Sequence, residues 1–368
     1  MKNISILTFG LALLASACTM ESKQAILKTD KNLTVPFHPE KYLCYQAENS
    51  ILVDGVLDDE AWQQAPWSST FVDIEGDLKE KPAKDTKIKM LWDADYFYIA
   101  AELKDDHIWG NLTQHDAVIF MDNDFEVFID PDGDTHNYYE FEINALNTTW
   151  DLILTKPYRD NGFSIDSWEI PGIKSAVKIY GSINNPSDVD EKWTVELAFP
   201  WKVLKECNTP SAKPVDGSQW RINFSRVQWI TEILDGKYVK KKDANGKRLP
   251  ENNWVWSPQG VIAMHNPETW GYVQFSTQTN DASFVENADE EVKWALRQLY
   301  YREKAYLEEN KCFTDRCEAL RLEEVEFSGA FKPEITLYQE GFVATCPSLS
   351  QQGSWSIQQD GNIWFSKK

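Results

Sequence analysis

Five aspartates, Asp122, Asp124, Asp130, Asp132 and Asp134, crowd into the run DNDFEVFIDPDGD, with Glu126 among them. The next run, YYEFEIN, adds Glu140, Glu142 and Asn144. Carboxylates at this density suit three chemistries: holding a hard cation, acting as an acid–base pair, or binding the hydroxyls of a sugar. Spacing argues against an EF-hand, which needs D-x-[DN]-x-[DN]-G and a Glu at position twelve. Counted from Asp130, Thr135 stands where glycine must be and Phe141 where glutamate must be; counted from Asp122, Val127 holds the glycine place. A looser calcium site among the five aspartates stays open, against a plain polar β-turn. A glycosidase pair requires two carboxylates at a set separation across a cleft, and nothing singles out two among 58 acidic residues. No Ser/His/Asp signature or G-x-S-x-G occurs, and five histidines offer little general-base material.

Alternation favours the third chemistry. Phe125, Val127 and Ile129 share one side of a strand; Glu126, Phe128 and Asp130 share the other. After a turn at Pro131–Gly133, Tyr139, Phe141 and Ile143 face inward while Tyr138, Glu140, Glu142 and Asn144 face outward. Carboxylates and amides take bidentate bonds from sugar hydroxyls, and aromatic rings stack on C–H-rich sugar faces. The competing reading is an ordinary solvated sheet face.

The elements that position these residues read as short alternating runs from Tyr42 to Phe275, the pattern of an antiparallel β-sandwich. Further strands are expected at Ala176–Tyr180, Trp193–Phe199, Trp220–Val227 and Trp270–Phe275, with short helices at Asp58–Ala65 and Pro200–Glu206. The segment DGKYVKKKDANGKRLPENN reads as a long, solvated basic loop. Beyond a polar linker over 278–288, a small α+β unit spans 289–368. Its helix is capped by Asn287 with Glu290 and runs to about Glu309, with Val292, Leu296, Leu299, Tyr306 and Leu307 on one face. A hairpin turning at Asp360–Gly361 closes it.

A net charge of −21 excludes nucleic acid and anionic lipid surfaces as partners. Sixteen tryptophans exceed what one sandwich core needs and point to ligand stacking or interfaces, against bulky core filling for about half of them. Residues 1–17 form an export signal: Lys2 precedes an apolar run too short to span a bilayer, followed by Ala15-Ser16-Ala17-Cys18. Two readings compete, simple cleavage after A-x-A or lipid attachment at Cys18. A cysteine directly after the cleavage point favours the lipid, with Leu14 one place upstream of the usual lipobox. Residues 18–40 are then a polar tether, and 41–277 the main domain. Export permits disulfides; Cys44 with Cys207 is a candidate bridge, against two small buried hydrophobes.

The motifs ILVDGVLDDEAW, KIKMLWDADYFYIAAELKD, DNDFEVFIDPDGD, YYEFEINALNTTWDL, WTVELAFPWKVL, INFSRVQW and WVWSPQG follow in order. Together the chain resembles the family 9 carbohydrate-binding modules and their lipoprotein relatives in Bacteroidetes, over about Tyr42 to Phe275. The resemblance implies a DOMON-like β-sandwich that binds an oligo- or polysaccharide, performs no chemistry and requires no cofactor. It further implies an exported outer-membrane lipoprotein, lipid-anchored near glycan-degrading enzymes. Matched residue by residue, the family's two sugar-stacking aromatics fall near Phe120 and on Trp256. Its ligand-bonding glutamate falls on Glu126 and its asparagine on Asn144. Its arginine falls on Glu142, a departure that changes which hydroxyl pattern fits. Trp150, Tyr158 and Arg159 are candidates for a second wall, against a core tryptophan and a surface-paired arginine, and Arg226 is a further candidate. Two alternatives remain: a haem-binding redox domain using Met264 or His265 with Met90 or Met121, and an accessory or structural subunit of a glycoside hydrolase.

Overall fold

β-branched and aromatic residues at every second position, broken by Asp/Gly/Asn turns, produce a chain dominated by strands. The computed structural model describes residues 38–207, 213–278 and 282–367. In the main domain the strands are β1 (Lys41–Gln46), β2 (Val72–Asp73), β3 (Thr86–Trp92), β4 (Tyr96–Lys104), β5 (Asp124–Asp130), β6 (Tyr138–Asn144), β7 (Thr149–Leu154), β8 (Ser164–Ile165), β9 (Lys174–Tyr180), β10 (Lys192–Pro200), β11 (Gln219–Gln228), β12 (Thr231–Leu234), β13 (Lys237–Lys240), β14 (Asn252–Val255) and β15 (Gly271–Ser276). Two short helices pack on it, α1 (Glu60–Gln64) against β3, β4 and β10, and α2 (Trp201–Leu204) into the main core.

Hydrogen bonding joins thirteen of these strands into one sheet, in the order β8-β7-β6-β5-β11-β15-β1-β3-β4-β10-β9, with β14 beside β11 and β2 beside β14. The pairings of β1 with β15 and with β3 are parallel. Strand β1 thus bridges what would otherwise be two layers, and the sheet curls over a single core. Ile88, Met90, Ile99, Val195 and Leu197 from one half meet Phe125, Val127, Phe141 and Phe224 from the other. The expected mainly β architecture is present, as one curled sheet.

The ILVDGVLDDEAW segment is a structural staple. Glu196 on β10 accepts from Asp54 N at 3.0 Å, Gly55 N at 2.7 Å and Trp62 Nε1 at 2.7 Å. Gly55 has φ +86, and a Cβ there would lie 2.8 Å from Lys178 N, so only glycine fits.

Cys44 and Cys207 are free thiols, so the candidate disulfide does not form. Both pack in the main core as small apolar groups, Cys44 in the interior of β1 and Cys207 just past α2, where its N–H donates to Tyr139 Oη at 2.7 Å. Cys18 lies outside the described residues.

The C-terminal unit packs α3 (Asp289–Asn310) on a four-stranded antiparallel sheet of β16 (Glu334–Tyr338), β17 (Gly341–Pro347), β18 (Ser354–Gln358) and β19 (Ile363–Ser366). Val292, Leu296 and Leu299 enter its core as their spacing requires. Half of the expected capping box forms: Ala288 is already helical, and Asn287 Oδ1 accepts from Asp289 N at 3.0 Å. Glu290 is drawn away to Arg221 Nη2 at 3.0 Å and Tyr272 Oη at 2.5 Å, two groups of the main sheet. The adjoining face of α3 carries Arg297, Tyr300, Tyr301 and Lys304, which reach the main domain; Tyr300 Oη donates to Asp160 at 2.7 Å and Lys304 Nζ lies 2.9 Å from it.

Candidate functional site

The second face of β5, β6 and β11 turns away from the main core. Register places Glu126 between Glu142 on β6 and Ser225 on β11, Phe128 opposite Glu140, and Trp150 on β7 opposite Glu142. Alternation alone brings these side chains to one side. What alternation does not show is that the face is covered. Asp124, Glu126, Glu140 and Glu142 are at most 6% exposed.

Two apolar patches enclose the acids. At one end Phe128, Tyr138, Leu152, Leu154 and Trp270 pack together, with Trp150 and Met264 partly buried against them. At the other, Trp109, Val227 and Trp229 pack with Phe120, Met121 and Tyr238. The hairpin β12–β13, expected as free loop, leans on this second patch: Lys240 Nζ sits 3.4 Å from the Trp229 ring centre. Lys240 is held down at about 8, chiefly by burial.

Desolvation penalises ionised carboxylates. Burial pushes Glu126 up to about 7. Glu140, Glu142 and Asp124 are raised as well, by burial first and then by the charge of Glu126. Glu142 Oε2 accepts from Phe120 N at 2.8 Å. Asp124 Oδ2 and Trp150 Nε1 are buried without a hydrogen-bond partner among the described residues. On the rim, Tyr158 is 51% exposed and stands edge-on to His265 at 4.6 Å. His265 Nε2 lies 4.0 Å from Glu140, its Nδ1 is 3.0 Å from Tyr138 Oη, and burial lowers it to about 4. The patch therefore offers carboxyl groups poised between acceptor and donor, an unused indole N–H, and aromatic edges.

Of the residues singled out from the sequence, Phe120, Glu126, Glu142, Trp150 and Tyr158 meet at this patch. Four others do not. Trp256 is 1% exposed and lies in the main core, edge-on to Tyr42 at 6.4 Å and 5.9 Å from Phe224. Gly271 is what admits it, since a Cβ there would come within 2.4 Å of the indole. A ring enclosed in this way has no free face on which to stack a sugar. Asn144 is fully engaged in bracing loops. Its Nδ2 donates to Leu112 O at 2.9 Å and Asp122 at 3.1 Å, and its Oδ1 accepts from the N–H groups of Leu146 and Thr148, both at 3.0 Å. Arg226 continues the inward series of Ile222 and Phe224; it is buried against Asp105 at 3.0 Å, Gln228 and the carbonyl of Lys104. Arg159 lies in the seam with the C-terminal unit, 2.9 Å from Glu268 and 3.3 Å from Asp160. Glu140 and His265 join the patch. The outward parity of Glu140 could have found it; no local signal marks His265.

The five aspartates do not make one cation site. Asp122 is taken up by the N–H groups of Asn111 at 2.7 Å and Leu112 at 2.8 Å. Asp124 falls with Glu126 and Glu142, whose ligand atoms lie within 4.8 Å of one another, as do those of Asp130, Asp132 and Asp134. The latter set, all oxygen and partly exposed, suits a hard cation such as calcium.

The model of the Carbohydrate family 9 binding domain-like family matches residues 53–277. The chain belongs to this family. Its members are carbohydrate-binding modules, which are not catalytic. The chain is also similar to endo-1,4-beta-xylanase A of Thermoanaerobacterium saccharolyticum, 27% identical over 209 residues, covering 57% of this chain and only 14% of that enzyme. Among solved structures, it is similar to a family 9 module from Caldicellulosiruptor kristjanssonii in complex with cellotriose, at 15% identity and a TM-score of 0.42, covering 67% of this chain and 100% of that one. The same organism's module in complex with glucose gives 15% identity and a TM-score of 0.41, covering 66% of this chain and 99% of that one.

Proposed function

We propose that the protein is a cell-envelope lipoprotein, lipidated at Cys18, that captures an oligo- or polysaccharide for neighbouring glycan-degrading enzymes. The observation that carries the binding reading is the enclosed patch of Glu126, Glu140 and Glu142 between aromatic side chains. A sugar there exchanges water for carboxyl hydrogen bonds, with Trp150 and Tyr158 as apolar walls. Glu142, where related modules carry arginine, makes the patch acidic and argues for a neutral or cationic glycan over an acidic one. Family membership and the Ala15-Ser16-Ala17-Cys18 sequence support the same reading. The haem alternative has little support, because Met90, Met121 and Met264 lie in three separate clusters.

The test is a glycan array followed by calorimetric titration of the best ligand. A hydrogen bond to a charged group contributes roughly 1.5–3 kcal/mol, so Glu126→Gln should weaken binding about tenfold to a hundredfold. Tyr158→Ala should weaken it too, without loss of stability. Full affinity in both variants would place the sugar elsewhere. For the anchor, Cys18→Ser should lose a metabolic fatty-acid label and leave the membrane fraction; continued retention would argue against lipidation.

A further inference from the structure

On the other side of β7 from Trp150, a histidine and several carboxylates converge beside an open groove of about 550 Å³ that Thr113, Leu146, Thr148 and Ile170 help to line. His115 Nδ1 lies 2.9 Å from Thr149 O and 3.0 Å from Thr149 Oγ1. A carbonyl only accepts, so Nδ1 carries the hydrogen, the arrangement that orients a metal-binding imidazole through its second nitrogen. Nε2 then faces three carboxylates, from Glu169 at 3.1 Å, Asp116 at 3.4 Å and Asp151 at 3.6 Å. A bare lone pair against three anionic oxygens is repulsive, so the position takes a positive centre, either a proton shared with Glu169 or a metal ion that displaces it.

The three groups are held from one place. Asp116 N donates to the same Thr149 carbonyl at 3.0 Å, and Asp151 follows Thr149 on β7 by two residues. Asp151 is 2% exposed, and its Oδ2 is fixed by Ile170 N at 2.6 Å, leaving Oδ1 toward the imidazole. Ligand atoms of His115, Asp116 and Asp151 lie within 4.8 Å of one another. Tetrahedral zinc with bonds of about 2.0–2.2 Å separates its ligands by roughly 3.3–3.6 Å, the range in which Asp116 and Asp151 stand from Nε2. A nitrogen with two carboxylates suits zinc better than calcium, which takes six to eight oxygens.

We propose that His115, Asp116 and Asp151 form a three-ligand site for a zinc-type divalent metal ion. Its fourth position opens on the groove, within reach of the exposed Glu169. Asp151 shares the side of Phe141, its cross-strand partner, so this site is separate from the glycan patch and does not rest on it.

The test is titration of the purified, metal-stripped full chain with zinc chloride by calorimetry. One equivalent should bind. Loss of outer-shell partners alone weakens metal sites about 10–100-fold, so His115→Ala should weaken binding at least about a hundredfold. Asp116→Asn should also weaken it, and Cys312→Ser, which removes an exposed thiol, should not. The variants of exposed His115 and Asp116 should melt like the parent, which separates lost ligation from lost fold. Nitrogen-15 spectra should show the zinc displacing the Nε2 proton of His115. Unchanged zinc affinity in His115→Ala would overturn the proposal. So would equal affinity for calcium, or no zinc uptake with His115 titrating merely as an imidazolium paired to Glu169.

Discussion

The glycan patch and the seam beneath α3 bury the same residue type with opposite results. In the patch, Glu126 is 6% exposed, pairs with no cation among the described residues, and is raised to about 7. In the seam, Glu268 is also 6% exposed. Burial would raise it as well, but Arg159 and Arg297 outweigh that and bring it to about 2. Glu290 behaves likewise: Lys293 and Arg221 overcome burial, and it too falls to about 2. Burial by itself therefore does not decide what a carboxylate is for. A paired one ties two units together; an unpaired one leaves unmet hydrogen bonding that a ligand can satisfy.

The largest effect should come from unpairing the seam. Arg159 reaches Glu268, Asp160 and Asn266, and Tyr301 Oη donates to Glu268. Removing one partner of a buried pair costs about 3–5 kcal/mol, so Arg159→Ala should lower the free energy of unfolding by that amount in urea denaturation. A loss under 1 kcal/mol would make the seam no different from surface charge.

The opposite sign is expected in the patch. Glu142→Gln keeps an oxygen for the Phe120 N–H and removes a carboxyl that burial drives to take up a proton, so at pH 7 the variant should be about 1–3 kcal/mol more stable than the parent. The pH dependence follows. A carboxylate raised in the folded state makes the native protein bind more protons than the unfolded chain. Stability is then greatest at low pH and falls as pH rises from about 4.5 toward the folded value, near 7 for Glu126. His265, lowered to about 4 from 6.5, works in the other direction over that interval. Subtracting the melting curves of Glu142→Gln from those of the parent cancels it. The difference should shrink on acidification from pH 7.5 to 5; a constant difference would mean that the patch carboxylates are not raised.

The smallest effect should come from the rim of the seam. Lys156 Nζ lies 3.2 Å from Asp360, with side chains 29% and 22% exposed. Partly solvated pairs contribute about 0–1 kcal/mol, so Lys156→Ala should shift the same denaturation midpoint only slightly. A cost approaching that of Arg159→Ala would show that solvent access does not separate the inner seam from its rim.

Much of this was legible locally. The period of two assigned β5 and β6 and sent Glu126, Glu140 and Glu142 to one side, because side-chain direction along a strand is a backbone property. The helical spacing of Val292, Leu296 and Leu299 did the same for α3. The errors fall where a second surface intervenes. Asn144 has the parity of a ligand-binding residue, yet loop backbones occupy its amide; Trp256 follows β14 in a familiar motif, yet Gly271 lets it sink into the core. Asn287 and Glu290 have the spacing of a capping box, but Arg221, distant in the chain, offers Glu290 a stronger partner.

What the sequence determined by itself was local: which residues make strands, which side each side chain takes, and the excess of acid over base. Family resemblance added the kind of ligand. Tertiary structure alone decided that the acidic face would be enclosed, that β1 would join two layers into one curled sheet, and that Arg159 would face α3 and not a sugar. The reason is physical. Direction along a strand is set by neighbours one and two residues away, whereas desolvation and charge pairing depend on whatever the fold brings within a few ångströms.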